Sequence, residues 1–279
     1  MKTCLVLEGG ALRGIYTAGV LDEFMKEKIK VDAIIGVSMG SLIGLNYMSN
    51  QPGRALRYNL KYCPNPNYIG WLSFLRTRDI VNKQFAYYDL VSTLDPFDFH
   101  TFDQSKTKFY CTVTNVLTGK AEYIEIKDAK NEIEIIRAGA SMPGVSKIVE
   151  VGKGKYLDGG IADSIPVLKA IEMGYDKIIV VLTRPFGYYK KPSKMRFLGM
   201  LYQKYPNFQK CLSNRNRHYN ETIDTILKLE KEGKIFVVRP SKKVPIKRIE
   251  HNPKIVQEQY DLGVKDFQEK KEELYRYLN

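Results

Sequence analysis

Histidine and cysteine are scarce in this 279-residue chain, long apolar runs are missing, and each shortage removes a class of protein. Nowhere do eighteen uncharged apolar residues run together, so a membrane-spanning helix is not expected and any membrane contact must be peripheral. The apolar opening from Met1 to Leu7 is interrupted by Glu8 and a glycine pair well short of a secretory leader, which predicts a cytoplasmic protein. Cys4, Cys63, Cys111 and Cys211 lie far apart without C-x-x-C spacing. That pattern argues against a disulfide framework or a zinc site and fits reduced thiols packed in a core. Only three histidines are present, His100, His218 and His251, and none lies in a glycine-flanked loop at a predicted strand end. No ligand cluster suggests a metal, and no cofactor is expected. Internal repeats and low-complexity linkers are also missing, so a single domain over residues 1–279 is the economical reading, with 44% apolar content ample for a sizeable core.

What is present in excess is positive charge. The formal net charge is +13, and it is uneven: residues 1–183 carry 22 Lys and Arg against 20 Asp and Glu, whereas residues 184–279 carry 22 against 11. A basic face attracts phosphate-rich partners, and peripheral contact of the C-terminal third with an anionic membrane is one reading. The other is a solvated surface, which the interleaving of acids along the helical segments favours. No nucleic-acid partner is expected.

Hydrophobic periodicity predicts a strand at Thr3 to Leu7 with a helix after it, then a strand at Val31 to Val37 with an apolar helix through Leu42, Ile43, Leu45 and Met48. Two such units imply a parallel sheet with helices on its faces. Between Tyr58 and Phe102 no clean period emerges. A hairpin is expected over Lys108 to Val116 and Ala121 to Ile126, and a helix over Ala129 to Ala140. A brief strand at Lys155 to Leu157, a helix from Pro166 to Gly174 and a buried strand at Lys177 to Leu182 follow. Beyond Arg184 the patterns predict helices near Met195 to Leu212 and Arg215 to Glu232, a strand at Ile235 to Val238, and a last helix from Pro253 to Leu278.

Three turns in this scheme carry chemistry. Gly36-Val37-Ser38-Met39-Gly40 is a G-x-S-x-G sequence between a predicted strand and a predicted helix, the setting of a nucleophile elbow. Small residues at Gly36 and Gly40 let the chain double back, and the serine lands at a helix N-terminus, which favours developing negative charge. Glu8-Gly9-Gly10-Ala11-Leu12-Arg13-Gly14 is a second strand-to-helix turn whose backbone N–H groups suit an oxyanion or a phosphate. Read as a dinucleotide loop it lacks the middle glycine, and the second strand ends in a serine turn where a ribose-binding acid is required. Asp158 directly follows a strand and precedes Gly159 and Gly160. It reads either as the base that a nucleophilic serine needs or as an ordinary turn aspartate, and the residues alone leave both open.

Together these turns resemble the patatin-like phospholipase family, through Gly9-Gly10-Ala11-Leu12-Arg13-Gly14, Gly36-Val37-Ser38-Met39-Gly40 and Asp158-Gly159-Gly160, in that order. The similarity extends through Ser141-Met142-Pro143 and Asp163-Ser164-Ile165-Pro166-Val167 and covers roughly residues 3–183, leaving residues 184–279 as a basic, mainly helical extension. The resemblance implies a three-layer α/β/α sandwich with a mainly parallel sheet and a Ser38–Asp158 dyad without histidine. It also implies an oxyanion hole from Gly9, Gly10 and Ala11, with Arg13, Gly14, Gly36, Gly40, Gly159 and Gly160 in support, and hydrolysis of lipid acyl esters. Ala11 departs from the family, which usually has a third glycine there. Alternatives remain: acyl transfer through the same acyl-enzyme, a histidine-dependent hydrolase using His251, and a non-catalytic basic lipid-binding protein. The aromatic stretch with Tyr68, Trp71, Phe74, Phe85 and Tyr88 fits an acyl cleft, a lid or plain core.

Overall fold

The computed structural model describes residues 1–191 and 198–279. The strands are β1 (Thr3–Leu7), β2 (Ala33–Val37), β3 (Lys108–Asn115), β4 (Ala121–Ile126), β5 (Val149–Val151), β6 (Gly154–Asp158), β7 (Lys177–Val181) and β8 (Phe236–Val238), all in one sheet. The helices are α1 (Ile15–Lys26), α2 (Met39–Met48), α3 (Arg54–Tyr62), α4 (Trp71–Thr77), α5 (Phe99–Asp103), α6 (Ile133–Gly139), α7 (Val167–Glu172), α8 (Pro206–Lys231) and α9 (Pro253–Leu278).

Strands β3, β2, β1, β7 and β8 run parallel as neighbours, with β4 antiparallel on the far edge of β3. Side chains alternate between the two faces, as strand geometry requires. Leu5, Leu7, Ile34 and Phe109 pack with Ile15 and Phe24 of α1, Ile43 of α2 and Phe267 of α9. On the opposite face Cys4, Val6, Ala33 and Ile35 pack with Val167 and Ala170 of α7 and Ile223 and Ile226 of α8. The sheet is therefore buried on both sides, and the expected three-layer α/β/α sandwich is what forms. All four cysteines are buried and unpaired within this packing.

One register relation positions the site. Thr112 of β3 pairs with Val37 of β2 on one edge and with Tyr123 of β4 on the other, whereas Val113 pairs with Asp158 of β6 and with Glu122 of β4. Strands β2 and β6 thus occupy the same edge of β3, run in opposite directions, and meet end to end. Their C-terminal residues, Val37 and Asp158, face consecutive residues of β3.

Helices α1 and α9 cross without side chains between them. A Cβ on Gly263 would lie 2.1 Å from the carbonyl oxygen of Tyr16, so only glycine permits this approach. Phe24 and Phe267 meet beside the crossing with ring centroids 5.1 Å apart and their planes tilted by 54°.

Several expectations need correction. The break expected between Leu212 and Arg215 is absent, and α8 runs unbroken through Ser213 and Asn214. Ser213 satisfies its hydroxyl on the Gln209 carbonyl one turn back, and buried Phe208, Leu212 and Tyr219 anchor the helix on both sides. The beginning of that expected helix, Met195 to Phe197, lies outside the described residues. The helix expected from Ala129 begins only at Ile133, because the Asp128 carboxylate accepts the amides of Lys130 and Asn131 and holds a turn there. Strand β5 was not anticipated. The region without a period contains α3, α4, α5 and a π-helical segment over Phe85–Leu94. Wider π winding spaces the buried positions differently from an α-helix, which removes the 3.6-residue signal.

Candidate active site

Ser38 sits between β2 and α2 with φ 53° and ψ −123°, a conformation that a non-glycine residue adopts only under strain. The turn is tight enough that a Cβ on Gly36 would stand 2.6 Å from the Cα of Ser41. Gly40 lies equally close to the Leu7 carbonyl, so both glycines of the predicted elbow are sterically required. The Ser38 carbonyl accepts the amides of Ser41 and Leu42, which anchors the first turn of α2.

Asp158 arrives from the opposite direction at the end of β6. The Ser38 hydroxyl donates to its Oδ2 at 2.7 Å, and the amide of Gly160 donates to its Oδ1 at 2.8 Å. One carboxylate oxygen is thus fixed by the backbone and the other is left for the serine. The Asp158 amide donates to the Ser141 carbonyl at 2.8 Å, and Thr114 Oγ1 donates to the Asp158 carbonyl at 2.8 Å, so the backbone is held from two sides. Gly159 packs directly on the Thr112 carbonyl of β3. Burial holds the Asp158 carboxyl above its ordinary value, against the opposing pull of its hydrogen bonds from Ser38 and Gly160.

The third predicted turn lies beside this pair. Gly9, Gly10 and Ala11 line the same cleft of about 310 Å³ as Ser38 and Asp158. Their amides are not equivalent. That of Gly9 donates to the Ser164 carbonyl at 3.3 Å and that of Leu12 to the Arg248 carbonyl at 3.3 Å, while among the described residues those of Gly10 and Ala11 have no acceptor. Ala11 has φ 49°, a left-handed conformation that glycine adopts freely, and its methyl group imposes strain. Gly10 abuts Thr183, and Gly14 abuts Met39, joining this loop to the elbow. Arg13 is pushed down to about 10 by burial and by the nearby Arg184 and Arg248 guanidiniums. Glu8 is buried with one carboxylate oxygen on the Thr183 amide at 2.5 Å and the other on the Tyr219 hydroxyl at 2.9 Å, which ties the loop to β7 and α8.

A second cavity, of about 120 Å³ and mostly apolar, opens from Ser38 between α2, α6 and the π-helical segment. Leu42, Leu45, Ala86, Leu90 and Ile136 are among its walls, as is Tyr68 of the aromatic stretch. The rest of that stretch divides. Phe85 packs against Tyr62 and Tyr68, whereas Trp71 is 67% exposed at the rim of the cleft. None of the three histidines lines either cavity that contains Ser38, and the ring of His251 is engaged with the Cys63 carbonyl at 2.7 Å.

Met142 of the Ser141-Met142-Pro143 stretch also lines the cleft, as do Arg215 and Arg248, which the sequence does not single out. Arg215 lies on α8 and its Nε donates to the Gly160 carbonyl at 2.7 Å. Its spacing along a charged helix gave no cue, because an inward-facing arginine on α8 is written like its solvated neighbours.

Fold and site together define an α/β/α protein with a strained serine elbow and a carboxylate as the serine's partner. A family model described as patatin-like phospholipase matches residues 5–171, and the chain belongs to that family. A model described as a domain of unknown function, DUF6363, matches residues 205–279. Among curated proteins, the uncharacterized protein YjjU of Escherichia coli strain K12 is 32% identical over 197 residues, covering 68% of this chain and 54% of that one. Lysophospholipase NTE1 of Debaryomyces hansenii is 28% identical over 184 residues, 63% of this chain and 11% of that one. The chain thus spans about half the length of the first relative and a small part of the second. VipD from Legionella pneumophila aligns over 96% of this chain and 67% of its own with a TM-score of 0.41 and 13% identity, too remote to inform the site.

Proposed function

We propose that this protein is a carboxylic ester hydrolase acting on lipid esters through a Ser38–Asp158 dyad. The observation that carries the reading is the 2.7 Å hydrogen bond from a strained elbow serine to a buried carboxylate. Asp158 takes the hydroxyl proton as Ser38 Oγ attacks the ester carbonyl, and the unpartnered amides of Gly10 and Ala11 receive the oxyanion. Collapse expels the alcohol, which takes the proton back from Asp158, and leaves an acyl-enzyme. Water then loses a proton to the same carboxylate and attacks the acyl carbon, and collapse breaks the acyl–Oγ bond and releases the fatty acid while Asp158 returns that proton to Ser38 Oγ. Gly9 shapes the loop with its amide on Ser164 and is not assigned as a donor to the oxyanion. The apolar cavity beside Ser38 is assigned to the acyl chain.

Burial raises the basicity of Asp158, which helps a carboxylate abstract a proton near neutral pH. The chain is further proposed to work as one unit, since α9 is seated on α1 through Gly263 and α8 supplies Arg215 to the cleft. No helix among the described residues is long and apolar enough to cross a membrane. We assign lipid access to peripheral contact of the protein with an anionic membrane, from a cytoplasmic location. The test is fluorophosphonate labelling with turnover of a short-chain p-nitrophenyl ester. Ser38→Ala loses both at unchanged melting temperature, and retained turnover in that variant overturns the assignment.

A further inference from the structure

Beside the cleft lies a polar pocket of about 200 Å³ walled by Arg13, Arg184, Lys190, Lys191, Arg215 and Arg248. Its one carboxylate is Glu8, and both oxygens of Glu8 are already committed to Thr183 and Tyr219. Among the described residues none of these six cations forms an ion pair within 4.0 Å, although fourteen such pairs occur elsewhere among them. Arg13 Nε is buried without an acceptor. Lys190 rests over the Tyr219 ring with its ammonium 3.5 Å from the centroid and its backbone fixed by Asn220. Burial, then Arg215, lowers its basicity well below that of a free amine. Like charges gathered in a half-buried pocket repel one another and Arg13 Nε lacks an acceptor, and a multivalent anion removes both costs at once. Gly9, Arg13, Arg215 and Arg248 are shared with the walls of the Ser38 cleft, so the pocket is continuous with the ester site.

We propose that this pocket is a subsite for a phosphate group, and that it holds the phosphate of the ester substrate's own headgroup while the acyl chain lies in the apolar cavity. The assignment of the source rests on the hydrolase reading above. It also sets a preference. A phosphomonoester headgroup presents only negative charge to the pocket, whereas a phosphocholine headgroup brings a quaternary ammonium among cations and with no free carboxylate to meet it.

The test uses three substrates with one octanoyl chain, namely monooctanoylglycerol, its 3-phosphate and its phosphocholine counterpart. For the intact protein kcat/KM is greatest on the 3-phosphate. The variants are Lys190→Gln and the double variant Arg184→Gln with Lys190→Gln, since neither residue lines a cavity containing Ser38. The double variant loses about tenfold to a hundredfold on the 3-phosphate, the usual effect of deleting charge-assisted hydrogen bonds, and keeps its rate on the uncharged ester. Equal losses on both substrates, or none, overturn the proposal. If the double variant fails to fold, the single variant carries the same comparison. Glycerol 3-phosphate inhibits hydrolysis of the uncharged ester competitively if the phosphate belongs to the substrate; a change in kcat alone marks a separate effector and overturns the headgroup assignment. Should the intact protein hydrolyse none of the esters, the hydrolase reading falls and the pocket is judged by thermal shift. Millimolar glycerol 3-phosphate then raises the melting temperature of the intact protein and leaves that of the Lys190→Gln variant unmoved, and the absence of that difference refutes a phosphate site.

Discussion

Replacing Asp158 by asparagine separates a catalytic carboxylate from a structural one, because the two roles predict opposite changes in stability. In the native protein burial raises the carboxyl above its unfolded value of 3.8, so the ionised form is less favourable folded than unfolded. The linkage sign follows: the associated stability is fully present below the unfolded value and is lost as pH rises through the folded one. At pH 7 the ionised Asp158 therefore opposes folding, and asparagine relieves that opposition. Asparagine also preserves the hydrogen bonds, since its Oδ1 accepts from the Gly160 amide while its Nδ2 donates to the Ser38 oxygen, which as a hydroxyl accepts as readily as it donates. The variant is expected to be at least as stable as the native protein at pH 7, with the gap closing as pH falls. Its kcat/KM falls by about 10²-fold to 10⁴-fold, the range for general-base assistance, or about 3 to 5.5 kcal/mol of barrier. Scanning calorimetry from pH 4 to 8 beside a p-nitrophenyl butyrate assay reads both. Native kcat/KM should rise with pH through an apparent value above 3.8. Activity within tenfold of native, or destabilisation by more than about 3 kcal/mol, would refute the reasoning.

Three further outcomes follow from the geometry. Ala11→Gly removes the strain at φ 49° but adds chain entropy to the unfolded state, so stability changes by no more than about 1 kcal/mol while turnover is retained or raised; a calorimetric scan and a rate assay check it, and a fall in turnover of tenfold or more counts against the assigned oxyanion loop. Ala86→Phe fills the apolar cavity and lowers kcat/KM on long-chain esters at least about tenfold while sparing an acetyl ester; equal effects on both would detach the cavity from acyl binding. Gly263→Ala forces α1 and α9 apart at a position where no Cβ fits, costing about 1 to 3 kcal/mol, visible as a lower midpoint in urea, with the Ser38 chemistry unaltered at low temperature.

Much of the fold is legible because the strands announce themselves locally. Thr3–Leu7 and Ala121–Ile126 fall where β-branched and apolar residues cluster between turn residues, and α9 begins at the proline that marks its first turn. The elbow was legible for the same reason, since strand, Gly36, Ser38 and helix are contiguous. The partnership of Ser38 with Asp158 is not local. It depends on register across β3, 120 residues apart in sequence, and the turn chemistry of Asp158 fits a structural aspartate equally well. The basic C-terminal third was read mainly as solvated surface, yet Lys190, Arg215 and Arg248 wall an internal pocket. Interleaving with acids describes a helix as a whole and hides Arg215 on its inward face, while Lys190 and Arg248 lie in irregular segments that have no period to read. The π-helical segment was invisible to any search at α-helical spacing, although Ala86 and Leu90 on it wall the apolar cavity.

The end-to-end meeting of β2 and β6 makes one strand the ruler for the reaction. Adding or deleting a residue within β3 near Thr112 would shift the turn carrying the hydroxyl relative to the turn carrying the acid, and turn one of them toward the wrong layer. Loops at the rim of the cleft lie outside that register, so under the proposed reading a change in them can alter substrate preference without moving the reacting pair.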